Sequence, residues 1–475
     1  MPKARSSPNA PSDDKVKDVE QDNLHKGEIR MRKSKWWMAS MSVVLTAGLL
    51  AGCGGNGDAK EGGASSPSGS SESSGNSGSS GSKTKLTLWG AVPAEAGPQA
   101  VIDAWNSENP DIEVEYLRYV NDDGGNLKLD TALMTGQDAD LFISYSLTRL
   151  QKRVDAGVAL DLSAKADYDI DAQMGPDAAL WKIDGKYYGM PTKKNMSFIW
   201  LNKQMLDDAG LPVPPLDWTW DDLKAYAAKL KKDNVYGLLQ HDSSYTATLD
   251  GTIAGLGDTN AEGKSNFNNE LWKSHLQTLH DMMFVDKSTP EYGEQLTSKM
   301  PVDTMFLKGE AAMLSAGEFI FRNANNLAEF PHDFQIAFAT VPRVTADQKD
   351  FKYPGGLGDA LSVNAKSKNQ DAAWKFAKWY ADGGMLPMAS GGRLPSSKSV
   401  SSDEAIKLLL QGVENMYDVD SLNKVVFGSF ESFQLSIPQQ VIDARKEEYE
   451  KYFLNKQDLD TTLANMAKRH EEFIK

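Results

Sequence analysis

Cysteine is almost missing from this 475-residue chain, which has only Cys53. No intramolecular disulfide can form, and no cysteine-based metal cluster is possible. Histidine is scarce as well, with six residues and no HExxH pair. His275 and His280 are five apart and fall on different sides of a helix, so a metal site has no support. Basic residues are in deficit, with 51 Lys and Arg against 66 Asp and Glu and a formal net charge of −15. Residues 1–52 hold nine basic and six acidic groups, so the acidity belongs to the rest of the chain. Such a surface repels phosphate backbones, and no nucleic-acid partner is expected. There is no GxSxG nucleophile elbow and no GxxxxGK[ST] phosphate loop. Gly356-Leu357-Gly358-Asp359-Ala360-Leu361 fails the dinucleotide GxGxxG pattern at its last position. No cofactor, metal or catalytic residue is therefore expected.

What is present is enough for a large core: 40% hydrophobic residues, including 17 Phe, 15 Tyr and 11 Trp. At roughly 100 to 200 residues per domain, the length predicts two to four units, or two large lobes with extensions. The N-terminal part reads as an address. Arg32, Lys33 and Lys35 precede an apolar stretch from Trp36 to Leu50, which ends in Leu50-Ala51-Gly52-Cys53. A charged region, an apolar region and a small-residue cleavage site make a secretory signal over 31–52. The stretch is too short, and too interrupted by Ser40, Ser42 and Thr46, to span a membrane. Its end resembles the lipobox of bacterial lipoproteins. That resemblance implies acylation of Cys53 and anchoring to the outer face of the cell membrane, stable when two or more acyl chains are attached. A signal normally starts at its own methionine, so translation is expected to begin at Met31, with residues 1–30 an over-extended reading frame. Within 53–82, the 29 residues from Gly54 to Ser82 include 20 Gly or Ser and no aromatic, the composition of a flexible tether.

Order is expected from Lys83. Lys85–Trp89 reads as a buried strand, and Gln99–Ser107 as a helix with Val101, Ile102 and Trp105 on its apolar side. Ile112–Tyr116 alternates with period two, Leu127–Thr135 returns to helical spacing, and Asp140–Ser144 is another strand. This alternation predicts parallel βαβ units in an open α/β sheet, with ligand contacts at the carboxyl ends of the strands. Thr219 and Asp222 form the signature of a helix start, and Trp220, Leu223, Ala227 and Leu230 then recur at helical spacing. Trp220 and Trp374 are accordingly assigned to the core. The adjacent pairs Asp207-Asp208 and Asp221-Asp222 sit on helices, where such carboxylates are ordinarily solvated.

A series of segments carries a family resemblance. They are Gly136–Phe142, Asp184–Pro191, Trp200–Leu211 with Trp218-Thr219-Trp220, Phe306–Met313, Gly355–Gly358, Ser367–Phe376 and Leu394–Ser397. In this order, after a lipobox, they resemble the family 1 extracellular solute-binding proteins, the maltose-binding-protein-like receptors of ABC importers. The match covers roughly residues 83 to 400. The resemblance implies an α/β, two-lobed periplasmic-binding-protein-like fold with hinge crossovers and an interlobe ligand cleft. It places 83–193 and 342–387 in the first lobe and 194–341 and 388–475 in the second. The crossovers would lie near Thr192–Asn195, Thr340–Pro342 and Met388–Arg393. The implied partners are a carbohydrate and the transmembrane subunits of a permease, with the receptor itself a monomer.

The family's binding positions fall on Trp89, Gly90 and Glu95 around the end of the first strand, Ser144 and Tyr145 after the Asp140 strand, and Asn195 at the crossover. They continue through Glu318, Phe319, Gly356 and Arg393. Phe319 stands where an aromatic platform is usual. Ser144 replaces a position that is aromatic in some members, for which Tyr145 and Tyr245 would compensate. Lys193, Lys194 and Arg393 point alternatively to an acidic sugar. Glu318 also reads as a solvated turn residue, Phe319 as lobe packing, and the glycines as a turn with positive φ. Two other functions stay open: an anchored polysaccharide hydrolase or lyase, and a ligand-sensing receptor of the same fold.

Overall fold

The computed structural model describes residues 83–475 apart from Gln137, 242–243, Ser429, 434–436 and Lys475. The signal, the tether, the Met31 start and Cys53 lie outside the described residues. Among the described residues no helix is long and apolar enough to cross a membrane.

The first lobe grows from β1 (Thr84–Gly90), β2 (Ile112–Arg118) and β3 (Leu141–Ser144). β1 lies between the other two, parallel to both. The helix Pro98–Glu108 connects β1 to β2 and buries Val101, Ile102 and Trp105, the residues its spacing marks as apolar. The next helix, Asp123–Thr135, starts four residues before the predicted Leu127. Its first turn is polar and invisible to apolar periodicity, but the Asp122 carboxylate accepts the Gly125 N–H and fixes the start there.

β4 (Met190–Asn202) is unusually long because it serves both lobes. Met190–Met196 pairs with β8 (Tyr353–Val363), and β8 also pairs with β3. From Ser197 onward β4 lies between β6 (Ala311–Gly317) and β7 (Ile336–Thr340), with β5 (Tyr236–Gln240) parallel to β6. A short β9 (Ser432–Phe433) pairs with the start of β8. One hydrophobic core gathers residues between Leu86 and Met190 with others between Leu357 and Met388. Two more serve the second lobe, drawn from Phe198 to Ala339 and from Ala389 to Met466. The capping box at Thr219 and Asp222 forms, and Trp220 is buried edge-on against His275.

Two crossovers depart from expectation. The second passes through β8 at Gly355–Gly358, not at Thr340–Pro342. Residues 342–352 stay with the second lobe: the Gln348 side chain donates to Thr252 Oγ1, and the Lys352 N–H donates to the Gly251 carbonyl. Sequence motifs mark this boundary poorly because the strand continues through it. The third crossover joins β4 slightly later than Met388–Arg393, where Lys194 N–H donates to Leu394 O and Ser396 N–H to Thr192 O. Of the three glycines read as a positive-φ turn, only Gly356 has one, at φ 88°. Gly355 and Gly358 instead make room for Asn195, whose side chain lies within 2.3–2.6 Å of where a Gly358 Cβ would stand.

Candidate functional site: the cleft at the strand ends

Parallel strands present their carboxyl ends, and the loops after them, on one side of a sheet, and open α/β sheets bind ligands there. In the first lobe these ends are Gly90, Arg118 and Ser144; in the second they are Gln240 and Gly317. The two sets meet at the crossovers. From the first lobe come Glu95, Tyr116, Arg118 and Tyr145, and from the second His241, Phe319 and Arg322, with Arg393 between them.

The floor is built of buried ion pairs. Lys193 on β4 pairs with Glu318, and both side chains are almost fully buried. The other Glu318 oxygen accepts the Met196 N–H. Arg393 Nε donates to Asp359 Oδ2 at 3.1 Å. Burial alone lowers the Arg393 pKa, but the adjacent Asp359 carboxylate outweighs it and holds the group above its ordinary value. Tyr145 is half-buried; its hydroxyl accepts the Ala91 N–H at 2.7 Å, and burial holds it well above the usual phenol range and so protonated.

Above this floor Phe319 is 37% exposed, unusual for a phenylalanine among the described residues. Its ring lies 5.6 Å from His241, which is held by Asp303 at 2.6 Å. A neighbouring cavity of about 550 Å³ extends the cleft between the lobes. Pro93, Glu95 and Ala96 line it from the first lobe, and Arg322, Asn323, Asn325, Asn326, Glu329 and Phe330 from the second. Ser390, Gly391, Leu408, Leu409 and Gln411 complete the wall. Amides, carboxylates and a guanidinium can donate to and accept from hydroxyls, while an open aromatic ring can cover an apolar face.

The predicted site residues divide. Glu95, Tyr145, Phe319 and Arg393 are brought together around this cleft. Gly90 lies at its edge, where an added Cβ would meet the Tyr116 hydroxyl at 2.7 Å, so glycine is needed for packing. Trp89 is a correction: it is buried in the first core and its indole N–H donates to the Asp138 carbonyl. Ser144 is another, fully buried with its hydroxyl accepting from Arg153. Tyr245 belongs to the second lobe's core, packed edge-on to Tyr292 with its hydroxyl donating to Gln295. Glu318 is neither a solvated turn nor a free acceptor, since Lys193 and Met196 occupy both its oxygens.

Asn195 and Gly356 line a different space. A second cavity, of about 490 Å³, is lined by Pro176, Asp177, Lys194, Asn195, Tyr353, Gly356, Phe427, Phe430 and Ser432, among others. Sequence reading missed Arg118, His241, Arg322 and Asn323. Arg118 ends β2, two residues beyond the predicted strand end at Tyr116, whereas His241 and Arg322 take their meaning only from the partner lobe. Among the described residues no group of three or more His, Cys, Asp or Glu is arranged to hold a metal ion.

Two lobes joined by three crossovers around a cleft define a hinged solute-binding protein. Residues 90–382 match the model of the bacterial extracellular solute-binding proteins, and the chain belongs to that family. A binding protein of Brucella abortus (strain 2308) is 25% identical over 320 residues, 62% of this chain and 74% of its own length. The maltotriose-binding protein of Pyrococcus abyssi (strain GE5 / Orsay) is 23% identical over 337 residues, covering 67% and 69%. Among solved structures, an ABC substrate-binding protein of Listeria monocytogenes in complex with cycloalternan matches with a TM-score of 0.67 at 21% identity, over 82% of this chain and 99% of that one. Maltose-bound MalE3 of T. maritima matches with a TM-score of 0.67 at 20% identity, over 82% and 100%. The two structures share the two-lobed fold.

Proposed function

We propose that the protein is the substrate-binding component of an ABC importer, capturing a mono- or oligosaccharide between its lobes and passing it unaltered to a permease. The observation that carries this reading is the interlobe cleft itself: an exposed Phe319 ring and a 550 Å³ cavity, lined from both lobes and rich in side-chain amides. A pyranose offers a hydroxyl rim and an apolar C–H face, and such a lining answers both. The sugar-binding names of the relatives support the same class. Closure follows because a ligand touching both lobes binds the closed form better than the open one. The protein acts as a monomer and performs no chemistry on its ligand. Acylation at Cys53 holds it on the outer face of the cell membrane, with 53–82 as the tether.

The test is to titrate the full chain with neutral and acidic mono- and oligosaccharides and follow tryptophan fluorescence, heat of binding and product formation. Saturable binding with the sugar recovered intact is expected. If no sugar binds, or if bound sugar is cleaved, the reading is overturned. Mass spectrometry of the membrane-bound protein, with Cys53→Ser as the control, tests the anchor: the expected result is acyl mass on Cys53 and release of the variant into the medium.

A further inference from the structure

The cations at the cleft differ in whether they are neutralised. Lys193 is paired with Glu318 and Arg393 with Asp359, so neither has charge to spare for a ligand. Arg118 and Arg322 are different. Among the described residues neither has a carboxylate within ion-pair distance, and the nearest polar contact of Arg322 is the neutral Asn323 amide oxygen at 3.4 Å. They come from opposite lobes: Arg118 ends β2 directly beside Gly90, and Arg322 follows Phe319 and lines the 550 Å³ cavity. The chain runs from Gly90 directly into Pro93, Glu95 and Ala96, which line that cavity opposite Arg322. Burial first, then repulsion from Arg393 and Arg118, lowers the proton affinity of Arg322, with Asp303 and Glu95 opposing. Asp303 is already engaged by His241, which leaves Glu95 and Glu329 as the cavity's carboxylates.

Two unpaired guanidinium groups on opposite lobes resist closure, because bringing them together strengthens their repulsion as water leaves. A ligand that places negative charge between them converts that cost into attraction, and it does so more in the closed form than in the open one. Guanidinium forks match the two-oxygen geometry of a carboxylate or phosphate. We propose that the preferred ligand is an anionic sugar whose carboxylate or phosphate sits between Arg118 and Arg322. This rests on the sugar-binding reading above and sharpens it to a charge class. Glu95 and Glu329 then accept from hydroxyls on the same ligand.

The experiment measures binding of the full chain to matched sets: glucose and galactose oligomers, the corresponding uronates, and the corresponding sugar phosphates. A uronate or a sugar phosphate should bind at least about tenfold more tightly than its neutral counterpart, with affinity falling as salt is raised. The uronate and phosphate arms identify which anion is recognised. Arg118→Gln and Arg322→Gln should each reduce the acidic-to-neutral preference by about tenfold, and the Lys replacements should restore part of it. Melting temperatures of the variants separate loss of binding from loss of fold. Equal or tighter binding of neutral sugars, or Gln variants that keep the preference, overturns the proposal and leaves the sugar receptor standing. If no sugar of any class binds, both fall.

Discussion

The two lobes are alike in architecture and unlike in the chemistry they bury. The described part of the first lobe contains no histidine, and its buried Arg153 is answered by Asp130 at 2.8 Å, Ser144 at 2.8 Å and Asn126 at 2.9 Å. The second lobe holds His241, His275, His280, His332 and His470, of which His275 and His470 are buried. His275 packs against Trp220 with ring centroids 4.6 Å apart, and burial pushes its pKa down to about 3. An arginine keeps its charge across the accessible pH range and can be paired once and for all. A histidine buried neutral is stable only while protons are scarce. The first lobe is therefore built to ignore mild acid and the second to respond to it, although both must close on the same ligand.

The largest expected effect comes from breaking the join between the lobes. Glu318→Ala leaves the Lys193 ammonium buried without its partner and the Met196 N–H without its acceptor. Removing one member of a buried pair costs about 3–5 kcal/mol, and replacing both by apolar residues recovers much of it. Chemical denaturation should show that loss for Glu318→Ala and a partial recovery for Lys193→Met/Glu318→Leu. A single-variant loss under about 1 kcal/mol would mean the pair is solvated in the free protein. Next comes acid. The unfolded His275 takes up a proton near pH 6.5 and the folded one only near pH 3, so below 6.5 the unfolded state binds more protons and stability falls as pH falls. One such group is worth about 1.4 kcal/mol per pH unit, or about 2.7 kcal/mol at pH 4.5. Hydrogen exchange at pH 4.5 should show the second lobe opening before the first, and His275→Phe should flatten the pH slope. Equal opening of both lobes would erase the contrast.

How much of this was legible in the sequence follows the same division. In the first lobe, β1, β2, β3 and their helices were readable because local apolar periodicity and parallel pairing agree, and Trp105 is buried where the spacing puts it. The capping box at Thr219 was readable for the same reason: both partners are three residues apart. The site was less so. The family resemblance put Trp89 and Ser144 at the ligand, and Tyr245 was read as compensating for the missing ring at Ser144. Only the fold shows that Asp138, Arg153 and Gln295 claim them. Glu318 was misread in a like manner, its partner Lys193 lying 125 residues away. Pairings at that separation leave no periodic trace. The second crossover was misplaced because β8 continues from one lobe into the other without a break.

The smallest effects on stability are the most informative about where the ligand sits. Phe319 and Lys194 are both exposed, but only Lys194 lines the 490 Å³ cavity. Truncating either should change folding stability by no more than about 0.5 kcal/mol, as for surface positions generally. Their effects on binding should part. Covering a phenylalanine ring with an apolar face is worth about 1–2 kcal/mol, so Phe319→Ala should weaken sugar binding roughly 5- to 30-fold. Lys194→Met should leave the dissociation constant within about twofold of the parent, because the cavity it lines shares no residue with the Glu95 and Arg322 wall. Calorimetric titration of the two variants with the same sugar settles the matter. The reverse result, with Lys194→Met losing affinity and Phe319→Ala keeping it, would move the ligand to the 490 Å³ cavity and make Asn195 and Gly356 its contacts.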